Sequence, residues 1–422
     1  MAHPDYSVDT GQILSTTIPA SQRTYYEMLL LDTIRVQSIL LNFCRYKEDF
    51  EATKSGKMTF TEVLDAAPNW EPHPESVVWL KGGHLDSRQI SITLQIHGDV
   101  LKFNDYADQV TFWNRGDLRS LIRGKLGQLV TDEIDILARN AFMDHPAPLF
   151  PNSHTALMDL TGADIMTPTH VQDLVVDLEE NNIPGVFSPA DGGGAAIACV
   201  TTPRVIRDIR YAAESPWLEV QAYEGTGRIF KNEVGMWNGV RFIKSNRLHL
   251  RNYGDVQQQT QLVGDTVPGQ GAAEIDGVYT VGQPGADTFI EVADATGFAV
   301  NDVVTIHVFD NAVSEVQKGD GTQETRRIVG INGNEISFDT PLLKEHAQDD
   351  FMTKATDIHC SLFLGGPGVV MGVGERPNIR ILPKIDDLQL INRYAWRGFF
   401  KMQMFRPEYT RVLYTTGQDL SF

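Results

Sequence analysis

Cysteines, histidines, paired acids and glycine runs are the residues with which this 422-residue chain could do chemistry. Asp191-Gly192-Gly193-Gly194 has the composition of a phosphate cradle, in which successive backbone N–H groups wrap an anion. It precedes an apolar strand instead of following one, and no Gly-Lys-Ser/Thr accompanies it, so it reads as a loop. Gly366 and Gly368 open a GxG, yet Met371 stands where the third glycine of a dinucleotide fingerprint belongs. The histidines form no HExxH and no close HxH pair, the spacings that place two imidazoles on one metal. His145 and His154 flank a proline-rich turn that can bring them near each other, and no metal is assigned there. Cys44, Cys199 and Cys360 are odd in number and far apart, without CxxC, so they read as reduced thiols. No GxSxG elbow occurs. Asp386-Asp387 and Glu179-Glu180 read as solvated acids. Arg204, Arg207 and Arg210 repeat at i+3 and read as a solvated helix face or a subunit ion-pair seam. No catalytic residue, cofactor or metal is expected, and the chain is not read as an enzyme.

Charge narrows the classes further. Asp and Glu number 55 against 36 Lys and Arg, a formal net charge of -19. An acidic chain is poorly suited to hold nucleic acid by neutralising phosphates. It would suit a wall that contains nucleic acid without gripping it, and the same charge also serves solubility. Met1-Ala2-His3-Pro4-Asp5 lacks the basic and apolar regions of a signal peptide. No apolar run reaches the ~18 residues of a membrane span. The reading expects synthesis in the cytoplasm, no disulfides and no membrane.

The elements that must position these residues are organised around 117–144. Asp117 can cap a helix whose apolar positions include Leu118, Ile122, Leu126, Leu129, Val130, Ile134, Leu137 and Phe142, the spacing of one buried stripe. Asp132, Glu133, Asp135 and Arg139 are placed mostly on the opposite face. Pro146, Pro148 and Pro151 end it. At about 1.5 Å per residue this rod spans roughly 40 Å, and Gly124 and Gly127 each cost up to about 1 kcal/mol, so tertiary packing must hold it.

Upstream, residues 1–19 read as an extended arm and 21–43 as a broken helical segment. Residues 56–64 alternate like a strand, and Pro68 to Pro74 form a joint. Residues 76–104 read as a two-armed β-hairpin: Ile90, Ile92, Leu94 and Ile96 alternate with Ser91, Thr93 and Gln95, and Lys81-Gly82-Gly83-His84 and His97-Gly98-Asp99 are the turn signals. A half-apolar hairpin is unstable alone in water and needs a partner surface, its own body or a neighbouring subunit. Its candidate contact residues are Trp79, Lys81, Ile90, Ile92, Leu94, Ile96, Leu101 and Phe103.

Downstream, Thr169 with Gln172 suggests a capping box for a helix from His170 to about Asn181. Thr202-Pro203 starts a third helix. Strands at 195–200 and 240–243 complete an α+β domain with a central sheet. Residues 250–355 carry short strands and Gly/Asn turns with no helix pattern, an all-β module inserted into that domain. Mixed character returns after 356, and Tyr409 to Thr415 are expected to pack beneath the long helix.

This order resembles the major capsid proteins of tailed bacteriophages, the Hong Kong 97-like fold, and within it the family typified by the capsid protein of an Escherichia podovirus. The residues that carry the resemblance are Ile92-Thr93-Leu94-Gln95-Ile96-His97-Gly98-Asp99 with Leu101 and Phe103, then Leu126-Gly127, Asp132, Glu133, Leu137, Ala138 and Arg139. Gly227-Arg228-Ile229, Gly239-Val240-Arg241-Phe242-Ile243-Lys244-Ser245, Phe363-Leu364-Gly365, Trp396, Phe399 and Phe400 complete it. The resemblance implies an N-terminal arm (1–70), an extended loop (71–106), a peripheral domain with the spine helix (107–165), an axial domain (166–250 and 356–383), the inserted β domain (251–355) and peripheral return strands (384–422). It further implies pentamers and hexamers in an icosahedral shell, a portal, a cement or decoration protein, and packaged double-stranded DNA held only non-specifically, with the protein located in the virion. The rival reading is another virion component or a carbohydrate-binding protein that uses the β module.

Overall fold

The computed structural model describes residues 39–48, 56–63, 86–104, 117–181, 183–186, 197–212, 218–219, 232–266, 272–275, 278–281, 289–308, 323–340, 342, 346–383 and 391–418. The extended arm expected over 1–19, the joint at 68–74, the turn at 81–84, Gly227-Arg228-Ile229 and the glycine run at 191–194 lie outside them. In chain order the elements are β1 (Cys44–Glu48), β2 (Lys57–Val63), β3 (Ser87–Thr93), β4 (Gln95–Asn104), α1 (Asp117–Met143), α2 (Pro168–Glu180), β5 (Ile197–Thr201) and α3 (Pro203–Ala212). Then come β6 (Leu218–Glu219), β7 (Glu233–Trp237), β8 (Val240–Lys244), β9 (His249–Leu250), β10 (Val256–Gln261), β11 (Ala272–Ile275), β12 (Val278–Val281) and β13 (Phe289–Glu291). The chain closes with β14 (Val303–His307), β15 (Glu324–Asn332), β16 (Glu335–Phe338), β17 (Phe351–Ala355), β18 (Ile358–Leu364), β19 (Val369–Leu382), β20 (Ile391–Met404) and β21 (Thr410–Thr416). Two compact units result: Met1–Ala138 with Val370–Phe405, and Arg139–Val369 with Arg406–Phe422. The boundary between them falls within α1.

In the first unit, α1 runs from Asp117 as expected and buries Leu126, Val130, Ile134 and Ala138, an i, i+4 ladder on one face. Leu137 is half-buried, Leu129 is exposed, and Leu118 and Ile122 sit in the first turns with side chains outside the described residues. The sheet order is β1-β19-β20-β4, and β2 and β3 form a separate antiparallel ribbon.

Over the described residues 86–104, β3 and β4 do not pair with each other as the hairpin reading expects. β3 pairs with β2, Met58 opposite Ile92 and Phe60 opposite Ile90, while β4 pairs with β20 from Gln95–Phe400 to Asn104–Ile391. Only Leu94 separates the two strands, so the apolar alternation runs through the point where the hydrogen-bond partner changes. His97-Gly98-Asp99 is mid-strand, not a turn. A Cβ on Gly98 would stand 2.5 Å from the Trp396 carbonyl oxygen, so glycine is there for close backbone approach.

The second unit is built on a sheet of order β21-β18-β5-β8-β7-β6, with β9 also on β18. β18 is an interior strand buried on every residue, which requires both faces covered. β21 pairs with it from Ile358–Thr416 to Leu364–Thr410. The terminal strand thus joins this sheet. α2 starts earlier than the Thr169–Gln172 box implied: Thr167 is the cap, its hydroxyl accepting from the His170 N–H at 3.4 Å, with Pro168 in the first turn. α3 begins at Pro203 as Thr202-Pro203 predicts.

The inserted module spans 256–355. Its first and last strands, β10 and β17, pair antiparallel, so the chain leaves and returns side by side. The six-stranded sheet β10-β17-β14-β15-β16-β13 carries its own core, including Leu262, Val304, Ile306, Ile328 and Met352. Asn252, buried at φ +59°, anchors its base: the amide donates to the Val303 carbonyl and Thr305 hydroxyl, and its oxygen accepts from the Ala355 N–H. Among the described residues no helix is long and apolar enough to cross a membrane.

Candidate assembly surface

β4 is an edge strand. It pairs with β20 along one side, and no described strand of its sheet lies along the other. An edge of this kind presents a row of N–H and C=O groups to any strand of matching register. Period two puts Ile96 and Val100 on one face, and both are exposed, Ile96 by 72%. Ile381 on β19 and Val63 on β2 are further exposed apolar side chains of the same unit. On the opposite face His97 packs inward: it stacks on Phe400 with ring centroids 4.7 Å apart, and its Nδ1 lies 3.5 Å from a Glu133 carboxylate oxygen on α1. Tyr394, Trp396 and Phe400 are buried on that side.

Polar groups brace the sheet across β19 and β20. Arg397 Nη2 donates to both oxygens of Glu375, at 2.9 and 2.7 Å, and Arg380 and Asn378 donate to the same carboxylate. Partial burial opposes ionisation of Glu375, but these hydrogen bonds prevail and hold its carboxyl below the usual range.

The structure divides the expected contact residues into two sets. Ile92 and Leu94 are buried within their own unit against Met58, Phe60, Val370 and Phe405, with Ile90 packed beside them. They are core residues of the unit and not surfaces awaiting a neighbour, because β2 supplies the partner strand that 76–104 alone lacks. Ile96 remains exposed and Leu101 is half-buried. Phe103 lies on β4 with its side chain outside the described residues, as do Trp79 and Lys81 altogether.

Several of the groups suspected of chemistry have structural partners. His145 Nε2 meets the Pro407 carbonyl at 2.9 Å and its Nδ1 meets Ala147, while His154 approaches Asp164 at 3.4 Å, so the two imidazoles serve separate loops. Burial, aided by Asp135 for Cys44 and by Cys360 for Cys199, raises the thiol pKa of all three cysteines, which stay protonated. Arg207 pairs with its neighbour Asp208 at 2.8 Å. Gly365, Gly366 and Gly368 form a turn wedged against Ile183, Pro184 and Thr410, a close-packing role. No group of three His, Cys, Asp or Glu side chains suited to a metal occurs among the described residues.

The scan against protein families finds no match, and neither does the search of curated proteins. Similarity lies in the fold. The capsid of Ralstonia phage GP4 superposes with a TM-score of 0.52 at 13% identity, over 90% of this chain and 88% of that one. Weaker likenesses include the head of Helicobacter pylori bacteriophage KHP40, with a TM-score of 0.48 at 9% identity over 90% and 91% of the two chains. The capsid of cyanophage P-SCSP1u gives 0.47 at 11% identity over 97% and 92%. The chain has the α+β, Hong Kong 97-like fold of a tailed-phage capsid protein, as the order of its elements predicts.

Proposed function

We propose that this chain is a major capsid protein that self-assembles into the icosahedral head shell around viral double-stranded DNA. The observation that carries the reading is the end-to-end fold likeness to the GP4 phage capsid, at 90% of this chain and 88% of the other. In this assignment the first unit is the peripheral domain with its spine helix and extended β2–β3 ribbon, and the second is the axial domain bearing the inserted β module. The open edge of β4 and the exposed Ile96 and Val100 then become contacts between copies, repeated heterologously around pentamers and hexamers. Such interfaces bury above about 2,000 Å² in total when obligate. Net negative charge keeps packaged DNA from adhering to the wall. A portal and a decoration protein are the further partners of such a shell, which places the protein in the virion after synthesis in the host cytoplasm.

Sedimentation of the purified full chain tests this. Fast-sedimenting closed particles are expected. A single species of 47.0 kDa at every concentration would refute it.

A further inference from the structure

A cavity of about 570 Å³ opens in the second unit, lined jointly by the central sheet, the start of α3 and the inserted module. It gathers groups distant in sequence: Arg139 at the end of α1, Thr202 and Arg204 at the start of α3, Arg251 in the bend before β10, and His359 on β18. Arg204 also lines an adjoining hollow bounded by Gly417. A Cβ on that glycine would stand 2.8 Å from His359 Nε2, so the two spaces meet at the imidazole.

The wall is rich in donors. A guanidinium carries N–H groups and no acceptor, and three of them line the cavity. The Ile206 N–H bonds back to the Thr202 carbonyl at 3.2 Å, so the first turn of the 10-residue α3 closes at the cavity wall. Such a helix end presents N–H groups and partial positive charge to an anion. His359 is only 1% exposed; its Nδ1 meets the Thr202 hydroxyl at 3.0 Å, while its buried Nε2 has no hydrogen-bond partner. Buried Nε2 of Gln323, in the same wall, is likewise unpaired. With Nδ1 accepting from Thr202, the neutral ring keeps its proton on Nε2, a donor without an acceptor.

The nearby carboxylate is held by donors of its own. Asp357 accepts from His249 Nε2 at 3.0 Å and from the Asn252 N–H at 3.2 Å. Among the described residues that line the cavity, three are Arg and none is Asp or Glu. Burial, followed by the positive charge of His249 and Arg204, pushes His359 down to about 3 in spite of Asp357, so the ring is neutral and sits in a positive potential. A cavity of this size falls within the roughly 300–1,000 Å³ of small-ligand sites.

We propose that this cavity binds a small phosphate-class anion, with Arg204, Arg251 and the α3 N-terminus holding phosphoryl oxygens and His359 Nε2 and Gln323 donating beside them. The site lies within one chain and stands whether or not that chain forms a shell. Its source is either a free phosphate or the phosphate of nucleic acid, and the chemistry is common to both.

Calorimetric titration of the full chain with inorganic pyrophosphate at low salt tests it, alongside thermal unfolding with and without the anion. One saturable site per chain and a rise in the unfolding midpoint are expected. Arg204→Gln with Arg251→Gln should weaken binding at least tenfold while circular dichroism stays native. Arg251→Gln alone, at an exposed side chain, keeps the test valid should the double variant misfold. A short DNA duplex that displaces pyrophosphate assigns nucleic acid as the source, and one that leaves it bound assigns the free anion. No heat and no midpoint shift at millimolar pyrophosphate, or undiminished affinity in a folded variant, overturns the proposal.

Discussion

Asp135, midway along α1, accepts a hydrogen bond from the backbone N–H of Leu40 at 3.1 Å. Ninety-five residues separate the two, and both are buried. The carboxylate thus fastens the short 3₁₀ turn Leu40–Phe43 to the helix that the first unit is built around. Removing an acceptor from a buried N–H costs its desolvation, about 1–3 kcal/mol. Asp135→Ala should lower the unfolding free energy read from denaturant titration by that much, and Asp135→Asn, which keeps an acceptor, by less. Equal midpoints for Asp135→Ala and the parent would show that the bond contributes nothing.

The buried ladder of α1 sets a stronger expectation. Leu126 and Val130 are both 0% exposed, so Leu126→Asp or Val130→Asp places an unpaired charge in the core at a cost of several kcal/mol. Neither variant should yield soluble chain with native circular dichroism. Recovery of either in folded form would remove the helix from the core.

Two glycines of similar sequence appearance should respond oppositely. Gly124 on α1 has open space where a Cβ would stand, so Gly124→Ala should raise stability by about 0.5–1 kcal/mol through helix propensity. Gly98 has the Trp396 carbonyl there, and Gly98→Ala must push β4 from β20, at about 1–3 kcal/mol. Paired thermal melts check both signs.

Acid sensitivity should track Asp164. Burial raises its pKa, but the Thr161 N–H and hydroxyl and the Asn152 amide bond the carboxylate, and the net shift is downward. A folded-state pKa below the unfolded value contributes stability that is present above the unfolded pKa and lost as pH falls through the folded one. Asp164→Asn should therefore destabilise the chain near neutrality and flatten the loss of stability below about pH 4. An unchanged acid-unfolding curve would assign the sensitivity elsewhere.

The sequence showed these features unevenly, for physical reasons. α1, α3 and the inserted module were legible because helical period, a Thr-Pro cap and turn spacing are local signals. Strand partners are not local: β3 and β4 share one unbroken alternation, yet hydrogen-bond to segments on opposite sides of the chain, so the pattern suggested one hairpin. Gly98 was ambiguous between a turn and a close approach until Trp396 was seen opposite it. Asp135 looked solvated because charge was read as a face marker, although it sits next to Ile134 on the buried side. The donor-rich cavity assembles Arg139, Arg204, Arg251 and His359 from across the chain; Arg139 had been read as part of a helix face and Arg204 as part of a stripe, and no local signal joins them.

The central claim is that copies of this chain cover one another at the edge of β4. Ile96 is 72% exposed, so Ile96→Lys should leave the folded subunit as stable as the parent. Electron cryomicroscopy of parent and Ile96→Lys preparations tests the claim most directly. The account predicts closed shells from the parent, with Ile96 buried between subunits, and their loss in the variant. Parent protein that stays dispersed as single chains, or variant protein that forms normal shells, would contradict it.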